Sequence, residues 1–534
     1  MKLISLWGVI LISILSACNN QQKPLPSVEK RATTITAGNA YSPLFFDSSK
    51  LEQFIQHHGI DDSLARQFRS FYNARNYQYA WFFNDGPAEQ VYNFLNLQND
   101  YIAYSRDSSL YDPSLQQVFD TLETGGHVFP LNDSSRLNAE LTLTNQFFRY
   151  AAQDFLGDSK LNISDLKWFI PRKKIDIVAT LDSLISNKGE KIVSYAPVNP
   201  YYLHLKEKLL QYYDIEKDGG WPPINTDIKK LKKGDSAAVI SRIKHQLFLT
   251  GDFREADTSG SFTDSLVAAV KHFQHRHGLT EDGIIAGNTL QQIRQSVQTR
   301  IRQMLLNLER MRWVPSEIST DYILVNIPEF RLHVFEKGKL KFSMKVVVGS
   351  GQNNTVIFRG DLKYVVFSPY WNVPPGILKK EILPGMQKDR NYLARHNMEI
   401  NGYSGSLPNV REKPGPNNSL GRVKFLFPNN YNIYLHDTPA KSLFGESRRA
   451  FSHGCIRLSE PKKLAEFLLR DDSTWTAAKI SAAMNSGKEK YVTLKETVPV
   501  FIGYFTAWVD SKGQLNFRDD VYGHDKRLAE KLFQ

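Results

Sequence analysis

Cysteine is nearly missing from this chain: 534 residues hold two, Cys18 and Cys455. So few thiols exclude a disulfide-stapled scaffold and the cysteine-rich zinc modules. Long apolar runs are missing as well beyond the N-terminus, where nothing approaches the ~20 consecutive apolar residues of a membrane-spanning helix. Charge of one sign is never concentrated. Lys and Arg number 67 against 55 Asp and Glu, a formal excess of +12, but they are scattered rather than run together. That excess suits an anionic partner such as a carboxylate-rich polymer, a membrane surface or nucleic acid, without marking a site. The length predicts two to four domains.

What is present at the N-terminus accounts for one of the two thiols. In MKLISLWGVILISILSACNN a single lysine precedes an apolar stretch over residues 3–15, and Ser16 and Ala17 lead into Cys18. The stretch is too short to span a bilayer and has the layout of a secretory signal over residues 1–17. Leu15-Ser16-Ala17-Cys18 resembles a bacterial lipobox, which implies Cys18 as the lipidated first residue of the mature protein. An ordinary signal peptide with an incidental cysteine is the alternative. Residues 18–40 are polar, contain Pro24 and Pro26, and read as a flexible tether. The expectation is an exported, periplasmic lipoprotein, with Asn19 favouring the outer membrane, and export argues against nucleic acid as the partner. Cys455 then has no cysteine to pair with inside the chain. In an oxidising compartment it is inert and buried, paired with another chain, or reactive.

Residues 41–228 are rich in aromatic residues and helix formers, with apolar residues recurring at spacings of three and four. They predict a helical scaffold domain without a catalytic constellation. In residues 229–297, Val239, Ile243 and Leu247, and then Leu266, Val270 and Phe273, each give a helix one apolar face. Asp282-Gly283 and Gly287 mark a turn, after which Asn288 or Thr289 would cap a third helix through Leu290 and Ile293. His272, His275 and His277 invite a metal reading. Nothing around them completes a zinc spacing, so a solvated helix end is expected.

Residues 298–318 read as a linker helix ended by Pro315. From Asp321 the period changes. Residues 322–327, 331–336 and 341–348 are strand-like, as are 363–367, 432–436 and 499–509, and Asp510-Ser511-Lys512-Gly513 signals a hairpin. Residues 319–534 therefore predict a mostly β domain with a few helices. Its proline- and glycine-rich stretch at about 375–427 would be an insertion covering the active site as a lid. Gly349-Ser350-Gly351 lacks the rest of a phosphate-binding motif and reads as a connection between strands. The fold class expected is multidomain α+β.

The chemistry concentrates in AFSHGCIRL, where Cys455 follows Ser452, His453 and Gly454 and precedes Arg457. A thiol attacks as thiolate, which a nearby imidazole promotes. His453 is close in sequence, and His436 ends the upstream stretch YNIYLHD, where strand alternation puts Tyr434 on the same face. Gly454 removes a side chain where an oxyanion must approach, and the amides of Gly454 and Cys455 could stabilise it. Arg457 could bind a substrate carboxylate or steady the loop. Spacing alone leaves open a buried strand cysteine among surface histidines.

The longer pattern HDTPAKSLFGESRRAFSHGCIRL resembles the signature of the L,D-transpeptidase (YkuD) family. KPGPNNSLGRVKFLFPNNYNIYLHDTPAKSLF and SPYWNVPPGI resemble its large periplasmic subgroup, which pairs a helical scaffold and a peptidoglycan-binding module with a lidded catalytic domain. LKKGDSAAVISRIKHQLFLTGDF, followed by DSLVAAVKHFQHRHGLTEDGIIAGNTLQQI, resembles the peptidoglycan-binding domain 1 family. The resemblance implies a three-helix wall-binding module and a cysteine acyltransferase without cofactor or metal. Cys455 would attack the L-centre third residue of a tetrapeptide stem, release D-alanine, and pass the acyl group to a second stem as a 3→3 cross-link. It implies His436 as general base, oriented by the backbone carbonyl of Asp437, with His453 and Arg457 in support and Gly454 in the oxyanion backbone. Tyr434, Ser452 and Trp371 are candidate substrate contacts. Val356 after Thr355 departs from the family's proline and puts that loop's geometry in doubt. The implied partners are peptidoglycan stems and glycan, and a membrane through the lipid. Competing readings are an L,D-carboxypeptidase or hydrolase on the same fold, a non-catalytic wall-binding lipoprotein, and a zinc site of His436, His453 and Cys455 that lacks a fourth ligand.

Overall fold

The computed structural model describes residues 27–113, 115–116, 133–187, 200–255, 257–315 and 320–533. The signal over residues 1–17, the lipidated Cys18 and the first part of the tether lie outside the described residues. Among the described residues no helix is long and apolar enough to cross a membrane. The chain packs as two compact units. One comprises residues 1–94, 112–148 and 177–190, the other residues 95–111, 149–176 and 191–534.

The first unit is helical with an aromatic core. Asp47 and Asp61 cap the helices Ser48–His57 and Asp62–Ala74 by accepting the N–H groups of Ser49, and of Ser63 and Leu64. Phe68, Phe71 and Tyr72 bury one helical face, together with Trp81, Phe94 and Phe148. Glu140 is fully buried there and accepts from Ala80 N–H (2.7 Å), Trp81 N–H (3.0 Å) and the Tyr72 hydroxyl (3.0 Å). Three donors make a buried carboxyl tolerable.

In the second unit the helices Ala238–Leu249, Asp264–Arg276 and Gly287–Ile293 enclose a core that includes Ile243, Leu247, Val270, Phe273 and Ile293. The third helix starts at Gly287 after Ala286, without a side-chain cap. Thr289 is buried instead, and its hydroxyl accepts from Gln274 Nε2 at 3.2 Å. His272 Nδ1 lies 2.7 Å from the Asp252 carboxylate and His275 Nδ1 2.8 Å from that of Glu281, two separate contacts. His277 is no part of a solvated end. It is buried and stacked on Phe273 with centroids 3.8 Å apart, and burial pushes its pKa well down.

Helix Val297–Trp313 is capped by Ser296, ends before Pro315, and is buried along most of its length rather than exposed as a linker. Several of its polar residues are engaged inward. Asn307 donates to the Thr506 hydroxyl (2.8 Å), Arg310 pairs with Asp525, and Arg312 donates to the Tyr104 (2.9 Å) and Tyr202 (3.0 Å) hydroxyls.

The sheet that follows contains β1 Tyr322–Asn326, β2 Arg331–Glu336, β3 Lys339–Gly349, β4 Ile357–Phe367, β8 Val423–Leu426, β9 Leu435–His436, β11 Ile456–Leu458 and β12 Lys490–Gly503, with the short β10 Ala450–Ser452 pairing to β3 from off this path. Its order is β8-β9-β11-β3-β2-β1-β12-β4, and β4 pairs back to β8, so the ladder closes on itself. The expected strand over residues 432–436 shortens to Leu435–His436. The reason is local: Asn432 sits at φ +55°, and the Asn429 side chain bonds both the N–H and the carbonyl of Ile433. Residues 499–509 split into the end of β12 and the strand Ala507–Val509, whose hairpin partner Leu515–Phe517 follows the anticipated turn. The insertion is folded in its own right. β5 Trp371–Asn372, β6 Met398–Ser404 and β7 Leu407–Glu412 form a small sheet, beside a cluster of Leu378, Ile382 and Val410. The chain is back in the main sheet by Val423.

Candidate active site

β9 and β11 are short, parallel and adjacent, with Leu435 in register with Ile456 and His436 with Arg457. Ile456 N–H donates to the Tyr434 carbonyl at 3.1 Å, which sets Tyr434 beside Cys455. Side chains alternate along a strand, so Leu435 and Ile456 enter the core while Tyr434, His436, Cys455 and Arg457 share the opposite face. Each strand thus contributes one residue, and the residue just before it a second, to a four-membered cluster.

Cys455 is partly exposed, and its Sγ lies 3.5 Å from the Asn432 carbonyl. Tyr434 lies near enough to the sulfur to favour its thiolate, and Trp371 acts in turn on Tyr434. Burial nevertheless raises the thiol's pKa, ahead of the lowering effects of Tyr434 and Arg457. The resting group is therefore a thiol. His436 is buried, and its Nδ1 lies 2.5 Å from the Asp437 carbonyl. A carbonyl only accepts, so Nδ1 carries the proton and Nε2 is the basic nitrogen. Burial, and then the charge of Arg457, push this imidazole down to about 4. It is neutral near pH 7 and free to take a proton.

The nucleophile loop is held from behind. Gly454 adopts φ +115°, a conformation that disfavours any side chain. The Thr355 hydroxyl donates to the Gly454 carbonyl (2.8 Å) and accepts from Gly349 N–H (2.9 Å), so the sequence departure at Val356 leaves the loop braced. The Tyr522 hydroxyl donates to the Gly349 carbonyl at 2.6 Å. Replacing Thr355 with valine strands a buried N–H and a buried carbonyl. A loss of about 2 kcal/mol is expected, measurable in denaturant unfolding, with slower alkylation of Cys455 as the loop relaxes.

Several expected roles change. Ser452 is buried, donating to the Cys455 carbonyl (2.5 Å) and accepting from Gly454 N–H (3.1 Å), so it folds the loop rather than touching substrate. The same bond occupies the Gly454 amide, which leaves the Cys455 amide as the oxyanion donor on offer. His453 points outward, its side chain 56 % exposed and Nε2 3.8 Å from Glu381 of the insertion. His436, His453 and Cys455 therefore do not converge as zinc ligands, and no other group of three ligating side chains does so among the described residues. Tyr434 lies beside the thiol, and Trp371 beside Tyr434. Sequence reasoning missed Thr355, Asn432 and Tyr522, whose contributions come through a hydroxyl, a carbonyl and a long-range contact.

A thiol that shares one face of a closed sheet with a neutral, carbonyl-oriented imidazole is an arrangement able to supply a nucleophile and a base. Residues 320–500 match the sequence model of the L,D-transpeptidase catalytic domain (YkuD), and residues 241–293 match that described as "Putative peptidoglycan binding domain". The chain therefore carries a YkuD-family L,D-transpeptidase domain together with a peptidoglycan-binding module. Residues 66–209 match a third, "Scaffold domain". A Haemophilus influenzae protein named "Putative L,D-transpeptidase" is 32 % identical over 250 residues, 44 % of this chain and 50 % of that protein. The chain thus spans about half the length of this curated relative. Among solved structures, an L,D-transpeptidase from Xylanimonas cellulosilytica is 13 % identical, with 52 % of this chain and 100 % of that one covered and a TM-score of 0.18. One from Mycobacterium smegmatis is 14 % identical, covering 34 % and 58 %, with a TM-score of 0.19. Scores that low carry no argument about this chain.

Proposed function

We propose that the chain forms 3→3 peptidoglycan cross-links through a thioester on Cys455. The observation that supports this most is His436 on the thiol's own face, with Nδ1 on the Asp437 carbonyl and Nε2 left basic. Sγ attacks the carbonyl carbon of the third stem residue while Nε2 takes the thiol proton. The oxyanion gathers at the Cys455 amide. The bond to D-alanine then breaks, and His436 returns the proton to the leaving amine. An amine of a second stem attacks the thioester, loses its proton to Nε2, and Cys455 leaves as thiol. The module over residues 241–293 would keep the domain on its polymeric substrate. Residues 1–18 would export the chain and anchor it through lipid on Cys18, in the periplasm, with the outer membrane favoured.

The test is muropeptide analysis after incubating the full chain with tetrapeptide-bearing peptidoglycan. Cross-linked dimers joined between third residues, with free D-alanine, are expected. Tripeptides without such dimers would replace the transferase by a carboxypeptidase. An unmodified mature N-terminus by mass spectrometry would remove the lipid anchor.

A further inference from the structure

Two cations flank His436 on the face that carries Cys455. Lys424 of β8 lies opposite His436, and Arg457 of β11 lies opposite it on the other side. Residues in register on adjacent strands point to one face. Lys424, His436 and Arg457 therefore form one row, and Tyr434 with Cys455 the next. The imidazole between the cations is neutral and offsets neither.

Arg457 is short of partners. Its Nε is buried without a hydrogen-bond acceptor among the described residues. The titratable group that acts on it is Cys455, not a carboxylate. Lys424 is 8 % exposed, with the Tyr370 carbonyl 3.4 Å and Glu489 3.6 Å from Nζ. Both distances are long for an ammonium contact. Glu489 is shared, since it also accepts from Tyr370 N–H at 3.0 Å. The other acid close by, Asp437, is spent elsewhere. One oxygen accepts from Lys441 (2.6 Å) and Thr438 N–H (2.7 Å), the other from Arg422 N–H (2.9 Å). The row holds two cations against part of one carboxylate.

A guanidinium whose buried Nε finds no acceptor is costly unless a ligand matches it. Its planar fork fits a carboxylate better than any other common group. We propose that Arg457 and Lys424 form a carboxylate subsite that fixes the acyl donor, holding a carboxylate adjacent to the carbonyl that Cys455 attacks. This rests on the acyl transfer proposed above. Arg457 stands two residues from Cys455, about 7 Å along the strand. A carboxylate next to the scissile amide falls within that reach, whereas one displaced by a further residue overshoots it. Two carboxylates qualify: the terminal one of the leaving residue, and a side-chain one on the donor residue. Either way the subsite selects donors by charge beside the scissile bond.

Three synthetic stem peptides separate these sources: the free acid, its C-terminal amide, and the form amidated on the donor side chain. Release of the leaving residue by the full chain gives kcat/KM, and titration into the Cys455→Ala chain gives affinity. Amidating the docked carboxylate should cost about tenfold or more, mainly in KM, while the other amide costs little. Arg457→Gln and Lys424→Met should lose a similar factor on the acid and almost nothing further on the sensitive amide. Arg457→Lys should recover part of the loss. A merely structural role would reduce acid and amide turnover alike, and that outcome overturns the subsite. So does equal turnover of all three peptides by the parent chain. If the parent turns over none, the transferase reading fails, and affinities for the Cys455→Ala chain decide the subsite: equal binding of acid and amides overturns it, and a preference for the acid upholds it.

Discussion

Changing Cys455 to alanine is expected to abolish acyl-enzyme formation, lowering donor turnover by about 10⁴-fold or more while the fold persists. Sγ approaches the Asn432 carbonyl at a long 3.5 Å, a contact on which little stability depends. Intact-mass spectrometry after donor addition should show an adduct on the parent chain and none on Cys455→Ala. Melting temperatures should agree within a degree or two. Serine at 455 is expected to fail nearly as completely. A base held at about 4 can share a thiol proton as the C–S bond forms, but it is poorly matched to a hydroxyl whose proton is held far more tightly. An adduct on Cys455→Ala, or serine activity near that of cysteine, would remove the thiol from the mechanism.

What the sequence made legible follows from where each interaction is encoded. Cys455 and His436 could be paired because a side chain identifies each of them and a family signature spans the gap. The division of labour around them was not readable, since much of it rests on the backbone. Ser452 carries a hydroxyl that reads equally well as a substrate contact or a loop brace, and only its bonds to Cys455 and Gly454 decide. Thr355 reaches Gly454 across 99 positions, and no local pattern announces that. Helix Val297–Trp313 read as a linker ended by Pro315, yet it buries Arg300, Asn307, Glu309, Arg310 and Arg312. They are buried because distant partners such as Tyr104, Tyr202, Thr506 and Asp525 match them. Periodicity counts apolar residues and is blind to polar groups satisfied at long range. Lys424 is likewise a residue to which the sequence assigned no role, and only its place on β8 sets it beside His436.

His436→Gln is expected to reduce donor acylation by about 10²- to 10⁴-fold, the usual contribution of a positioned general base, with a larger effect on kcat than on KM. The more discriminating result is the pH profile. With His436 held at about 4, single-turnover acylation by the parent should stay level from pH 7 down to about 5. Below about 4 it should fall roughly tenfold per unit as the imidazole is protonated. An ordinary histidine at 6.5 would already have lost most of its activity at pH 5. Arg457→Gln removes one of the two causes of the depression, so its acid limb should move up toward 6.5, on every donor including the amides. Stability should carry the same signature. In the window between 6.5 and about 4 the unfolded chain takes up a proton on His436 that the folded chain refuses, so this contribution is complete above 6.5 and is lost as pH falls through the window. Glutamine cannot titrate, and His436→Gln should flatten that part of the stability profile. A parent acid limb near 6.5, unmoved in Arg457→Gln, would mean that the imidazole is not held neutral by its burial and by Arg457.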